Sequence, residues 1–423
     1  MTSDPINASC CIAGGGPAGM MLGLLLARAG IPVVVLEKHA DFLRDFRGDT
    51  VHPSTLEVMY ELGVLDAFLA RPHSELREVR GMIGDERVTL ADFSHLPVHA
   101  PFIAMVPQWD FLDFLAELGR NYSTFQLLMQ AEAFELIERD GRVAGVRAQT
   151  PDGPIDVHAS LVVGADGRAS TIRSLGRLPV HDIGAPIDAL WMRLSKHPDD
   201  TATATLGNVR NGHVFVMLDR GDYWQCAYVI RKGGYDELRR NGLDAFRAEI
   251  VSVVPFLSDR VAEITSWDKV KLLTVKIDRL RQWHRPGLLC IGDAAHAMSP
   301  VGGVGINLAI QDAVAAANIL AEPLRRGTPS AADLQAVQRR RELPTRVTQR
   351  VQVFIQERVL FRTLKGGAPA RLPLVARLLN AFPVLRRIPA RLVGLGFRPE
   401  HVRTPQIKST KTGNHEGHEG HEV

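Results

Sequence analysis

Apolar positions follow distinct rhythms along the chain. Short unbroken runs, CCIA at 10–13, VVVLE at 33–37, LVVG at 161–164 and LLCI at 288–291, are the pattern of strands covered on both faces. Between the first two, Pro17–Ala29 repeats apolar residues at helical spacing until Gly30 and Pro32 stop it, so strand, turn, helix and strand follow in succession. Residues 173–275 lack helical periodicity. Their β-rich runs DALWMRLS, HVFVMLD and YWQCAYVI, separated by Asn-Gly and Gly-Asp turns, predict an antiparallel sheet. After residue 330 the pattern becomes helical and arginine-rich, first DLQAVQRRRELPTRVTQRVQVFIQERVLF and then LPLVARLLNAFPVLRRIPARLVGLGF, where prolines interrupt too often for one long helix. The end, KSTKTGNHEGHEGHEV, is low in complexity and reads as a disordered tail.

With 423 residues, the chain has ample length for two joined domains or one elaborate α/β domain. Fifty Lys and Arg against 47 Asp and Glu leave a net charge of +3, too balanced for nucleic acid to be the main partner. Cys10, Cys11, Cys226 and Cys290 lie in apolar stretches without CxxC spacing, so they read as buried core residues of a reducing compartment. The start, MTSDPINASC, has no basic and apolar signal pattern, and no run approaches the ~18 apolar residues of a membrane span. A cytoplasmic enzyme is expected.

GGGPAG at 14–19 places Gly14, Gly16 and Gly19 in GxGxxG register, with Glu37 closing the second strand. Gly14 permits the tight turn, Gly16 lets backbone approach a pyrophosphate, and Gly19 lets helix meet strand; the helix N-terminus favours phosphate charge. Glu37 would accept hydrogen bonds from a ribose diol and argues against a 2′-phosphate there. Strand, helix and acid together predict a dinucleotide site, a fingerprint that NAD and FAD share.

Two later motifs bear on that choice. LVVGADGRAS (161–170) runs a buried strand into the glycine-flanked Asp166. LLCIGDAAHAMSPVGGVGINLAIQD (288–312) runs another into Asp293, then Pro300, a glycine-rich turn and a helix starting near Gly305. An acid at the carboxyl end of a parallel strand points into the ligand crevice. The amides of Gly302 to Asn307, at a helix N-terminus, suit a partial negative charge. Reduction puts such charge on a flavin at N1 and the C2 carbonyl, whereas it leaves a nicotinamide neutral.

Together, GGGPAG with Glu37, GADGRAS and GDAAHAMSPVGGVGIN resemble the class A flavoprotein monooxygenases, the group of para-hydroxybenzoate hydroxylase, over roughly residues 8–320. The resemblance implies an α/β fold. A Rossmann-like FAD-binding domain would occupy 1–75, 100–172 and 276–330, an interleaved antiparallel β-sheet substrate domain 76–99 and 173–275, and a helical C-terminal region 331–400, ahead of the tail at 401–423. It implies noncovalent FAD held by Gly14, Gly16, Pro17, Ala18, Gly19, Glu37, Lys38, Arg47, Gln108, Asp166, Asp293, Pro300, Gly305, Ile306 and Asn307. Asp166 would also bear on NADPH, Asp293 would hold the ribityl chain, and Pro300, Gly302 and Gly303 would lie at the reactive edge of the isoalloxazine. With one GxGxxG present, NADH or NADPH would dock transiently as co-substrate. The implied reaction is hydroxylation of an aromatic, phenolic or quinone-like small molecule through a flavin C4a-hydroperoxide.

Trp191, Arg193, Trp224, Gln225 and Tyr228 are candidates for the substrate pocket, with plain sheet core as the competing reading for the aromatics. A halogenase or isoprenoid reductase of the same fold, or a flavin sensor without turnover, stays open, although the WxWxIP motif associated with tryptophan-type halogenases is absent. His52 stands between a substrate or flavin contact and a structural role, and His296 reads as structural. His415, His418 and His421 suggest no more than weak metal affinity, and no metal site is expected. Arg371, Arg377, Arg386, Arg387 and Arg391 give the last helical stretch a basic amphipathic character, compatible with weak contact to a membrane surface or with a helix packed on the core. A monomer or homodimer is expected.

Overall fold

The structure is a computed structural model that describes residues 4–43, 49–202, 207–364 and 373–407. Arg47, Arg371, His415, His418 and His421 lie outside the described residues.

The apolar run at 10–13 is the end of a longer strand, Ile6–Ala13, which pairs in parallel with Val33–Glu37 on one side and Gly153–Gly164 on the other. Phe125–Met129 continues the parallel sheet beyond Val33–Glu37, and Leu288–Cys290 continues it beyond Gly153–Gly164. The helix Pro17–Arg28 is apolar all round because it is buried all round, between this sheet and the long helix Gly305–Arg326. Parallel strands put every following loop at one edge. The turns after Ala13, Gly164 and Cys290, each carrying one of the sequence motifs, therefore open side by side.

A second sheet runs in the order Lys271–Leu273, Ile187–Ser195, Tyr223–Arg231, His213–Asp219, Gly207–Arg210, Glu78–Ile83, Glu86–Asp92. It is antiparallel except where Gly207–Arg210 meets Glu78–Ile83. One expectation fails here, since 173–275 also holds the helices Tyr235–Asn241 and Leu243–Val253. The second buries Phe246, Ile250 and Val253, spaced four and three residues apart, against one face of the sheet. A small sheet of Thr50–Val51, Ile103–Met105 and Ser74–Leu76 lies between the two larger ones in the chain order, and its Ile103 and Met105 pack with Leu218 of the second sheet.

The helix Ala331–Ile355 starts on a capping box of Ser330 and Asp333, accommodates Pro344, and continues through a π-helical turn at Gln356–Leu360. Further on, Leu374–Ala381, Pro383–Arg386 and Arg387–Gly394 lie against the edge strand Glu86–Asp92, where the Asn380 amide donates to Arg87 O at 2.9 Å. Among the described residues, one helical stretch, Val301–Arg326, is long and apolar enough to cross a membrane, and most of it is buried inside the protein.

Candidate active site

The glycine turn has the geometry its spacing predicts. Gly14 sits at φ +112°, and a Cβ there would lie 2.4 Å from Ala165 O; a Cβ on Gly19 would lie 2.0 Å from Gly14 O. A Cβ on Gly16 would meet nothing, so this backbone faces open space at the N-terminus of a helix with Pro17 at its first position. The first N–H groups of that helix have no partner within it, so the open face is a cradle whose geometry suits an anion. Glu37 borders the cradle. Its Oε2 accepts from Gly15 N at 3.0 Å, and its Oε1 accepts from His39 N at 3.1 Å and contacts His39 Nδ1 at 2.5 Å. These bonds fix the carboxylate beside the turn, whereas Lys38 points to solvent and Ala18 is buried.

Asp166 and Asp293 stand in the neighbouring loops with different commitments. The Asp166 carboxylate accepts from Ser170 Oγ at 2.5 Å and Ile172 N at 3.0 Å, so it organises the start of the short helix Thr171–Leu175. Asp293 is about a third exposed and bridges to Arg168 Nε at 3.2 Å, tying the two loops across the crevice. Behind Asp293 lies a buried residue that sequence reasoning missed. Asp312 accepts from Gly292 N at 3.0 Å, from His296 Nε2 at 2.5 Å and from Arg341 Nε at 2.9 Å. Burial works to raise its pKa, but the charges and hydrogen bonds of His296 and Arg341 win and hold the carboxyl below its usual range. His296 is thus structural, as expected.

The Pro300–Asn307 turn is braced from two sides. Gly302 and Gly303 adopt φ of +82° and +64°, and a Cβ on Gly303 would lie 2.7 Å from Thr50 Oγ1 and 3.5 Å from His52 Nε2. Thr50 Oγ1 donates to Gly303 O at 3.0 Å. The Asn307 side chain is committed inward, accepting from His52 N at 2.9 Å and Thr55 Oγ1 at 2.7 Å and donating to Thr50 O at 3.3 Å. Its side chain is therefore a brace for the turn, at the N-terminus of the helix that begins with Gly305 and Ile306. His52 is fully buried, with Nδ1 bonded to Val393 O at 2.8 Å, and burial pushes its pKa down to about 4. From the other side Gln352 accepts from Ser299 N at 3.2 Å and donates to Ser299 O and Val301 O, each at 2.9 Å. Gln356 donates to Ser299 Oγ.

Side-chain alternation corrects part of the substrate reading. Trp224 and Tyr228 point to the helix-backed face of the sheet, with Leu190, Phe215 and Phe246, and are almost fully buried. Trp224 Nε1 donates to Asp200 Oδ2 at 2.8 Å, and Tyr228 donates to Glu249 at 2.6 Å while stacking edge-on against Phe246. They are core. Trp191, Arg193 and Gln225 lie on the opposite face, where Trp191 pairs with Ala227 and Arg193 with Gln225. Near that face Arg220, on the hairpin turn, donates to Gln225 Oε1 at 3.1 Å and forms a buried ion pair with Asp49, which directly precedes the small-sheet strand Thr50–Val51 and accepts from Gln108 N at 3.1 Å. Burial raises the Asp49 pKa against the opposing charge of Arg220 and lowers that of Arg220. Neither Asp49 nor Arg220 was legible as part of a site from sequence.

Residues 7–351 match the family described as FAD binding domain. A 6-methylpretetramide 4-monooxygenase of Streptomyces rimosus is 34% identical over 404 residues, covering 95% of this chain and 96% of that relative. The chain belongs to this family. It is a member of the FAD-dependent class A monooxygenases, which are oxidoreductases. A 12-dehydrotetracycline 5-monooxygenase/anhydrotetracycline 6-monooxygenase of the same species is 29% identical over 72% of this chain, which spans 60% of that relative's length. The crystal structure of pqsL, a probable FAD-dependent monooxygenase from Pseudomonas aeruginosa, superposes with a TM-score of 0.72 at 22% identity, covering 86% of this chain and 99% of that one, and so shares the fold.

Proposed function

We propose that this FAD-dependent enzyme uses NADH or NADPH and O2 to hydroxylate a fused-ring phenolic or quinone-like molecule of the aromatic polyketide kind. The observation that carries the reading is the likeness to a pretetramide monooxygenase over 95% of this chain, which brings its three motif loops to one edge of the parallel sheet. FAD binding would fall to the segments 1–75, 100–172 and 276–330, and substrate binding to 76–99 and 173–275.

When bound, FAD supplies the redox chemistry, accepting electrons from the nicotinamide and activating O2. The chain's residues fit it. The Gly14–Gly19 cradle would hold the pyrophosphate, Glu37 the ribose of the ADP half, and Asp293 a hydroxyl of the ribityl chain. The N-terminus of Gly305–Arg326 presents free N–H groups to negative charge near Pro300–Gly303. Trp191 and Ala227 would orient a planar substrate and exclude water, with Arg193 beside them for a phenolate or enolate oxygen.

NADH and NADPH oxidation measured over a panel of fused-ring phenols tests this. At least one such phenol should stimulate oxidation well above the substrate-free rate. A FAD-loaded protein that no fused-ring phenol stimulates would contradict the substrate class.

A further inference from the structure

We propose that the helical surface formed by residues 373–391 docks the protein on an anionic lipid surface, a role that goes beyond the reaction. The helices Leu374–Ala381 and Arg387–Gly394 bury Ala376, Leu379 and Ala390 against the sheet edge, yet carry a second apolar side turned outward. Leu374 is 70% exposed, Val375 68%, Val384 59% and Ile388 67%, with Phe382 also exposed between the helices. Soluble surfaces scatter single exposed apolar residues, whereas these are concentrated within fifteen consecutive positions.

Charge selects the occupant. Between Glu357 and Glu400 the sequence has no acidic residue and nine lysines and arginines, although the whole chain is nearly balanced. Arg377, Arg387 and Arg391 are exposed on the same helices as the apolar residues. A second copy seated symmetrically on this surface would set the cationic segment against itself, which disfavours a homodimer there. An anionic membrane satisfies both features. Apolar side chains enter the acyl boundary while guanidinium groups reach lipid phosphates. Helices of eight residues are far short of the ~20 needed to cross a bilayer, so the contact is interfacial.

The test uses the full chain loaded with FAD and sedimented with phosphatidylcholine vesicles, with and without phosphatidylglycerol. Binding is expected to the anionic vesicles alone and to weaken with added salt. The triple variant Arg377→Glu, Arg387→Glu, Arg391→Glu should lower partitioning by about a hundredfold or more, since each arginine near such a surface contributes about fivefold. The double variant Val375→Ser, Ile388→Ser should lower it about tenfold or more. Both should keep the wild-type flavin spectrum and circular dichroism. No binding to anionic vesicles, binding unchanged in the serine variant, or a concentration-dependent dimer that the serine variant dissolves would each overturn the proposal.

Discussion

Asp312 gathers three buried partners, the Gly292 amide, His296 and Arg341, the last of which also reaches Glu400 Oε1 at 3.3 Å. Replacing one member of such a buried set leaves charges unpaired, so Asp312→Ala should cost about 3–5 kcal/mol, read as a large fall in the denaturation midpoint. His52 gives a pH dependence. It stays neutral when folded down to about pH 4, whereas an unfolded histidine takes up a proton near pH 6.5, so the unfolded chain binds more protons as pH falls. Its contribution is therefore fully present above about pH 6.5 and is lost as pH falls toward about 4, a change of roughly 3 kcal/mol. Stability measured across that range should decline in the wild type and decline less in His52→Gln. Trp224 and Trp191 separate core from pocket. Trp224→Ala should destabilise by about 3–5 kcal/mol and leave the ratio of product to NAD(P)H consumed unchanged, because its side chain is walled off from the crevice. Trp191→Ala should instead lower that ratio at little cost in stability.

The glycine turn was legible at the level of single atoms, because GxGxxG describes backbone constraints and backbone geometry is local. A Cβ on Gly19 would press on Gly14 O, so Gly19→Ala should weaken FAD binding at least about tenfold in a flavin fluorescence titration. The brace behind Pro300 was not legible. Gln349, Gln352 and Gln356 recur at helical spacing in QRVQVFIQ and are buried, yet periodic glutamine reads as a polar face until the loop it serves is known. The sheet strands were found, but not which way they face. Trp191 and Trp224 lie on adjacent strands with opposite orientation, and that register depends on the hairpin and on the helix Leu243–Val253 that covers one side. Asp49 and Arg220 are far apart in sequence and meet only where the hairpin turn of the second sheet reaches the segment leading into Thr50–Val51.

At the scale of the molecule, order along the chain carried the fold. Three motifs at the carboxyl ends of parallel strands converge whatever lies between them, and that is why they pointed to FAD before any contact was known. The face proposed for the substrate is assembled from strands distant in sequence and is correspondingly absent from any local pattern. The proposed reaction transfers one oxygen atom from O2 to a fused-ring aromatic. Turnover under ¹⁸O2 with NADH or NADPH, followed by mass spectrometry of the product, tests it most directly. One ¹⁸O per product, with product formed in step with NAD(P)H consumed, is the result predicted; a product that carries no ¹⁸O, or carries a halogen in its place, would contradict it.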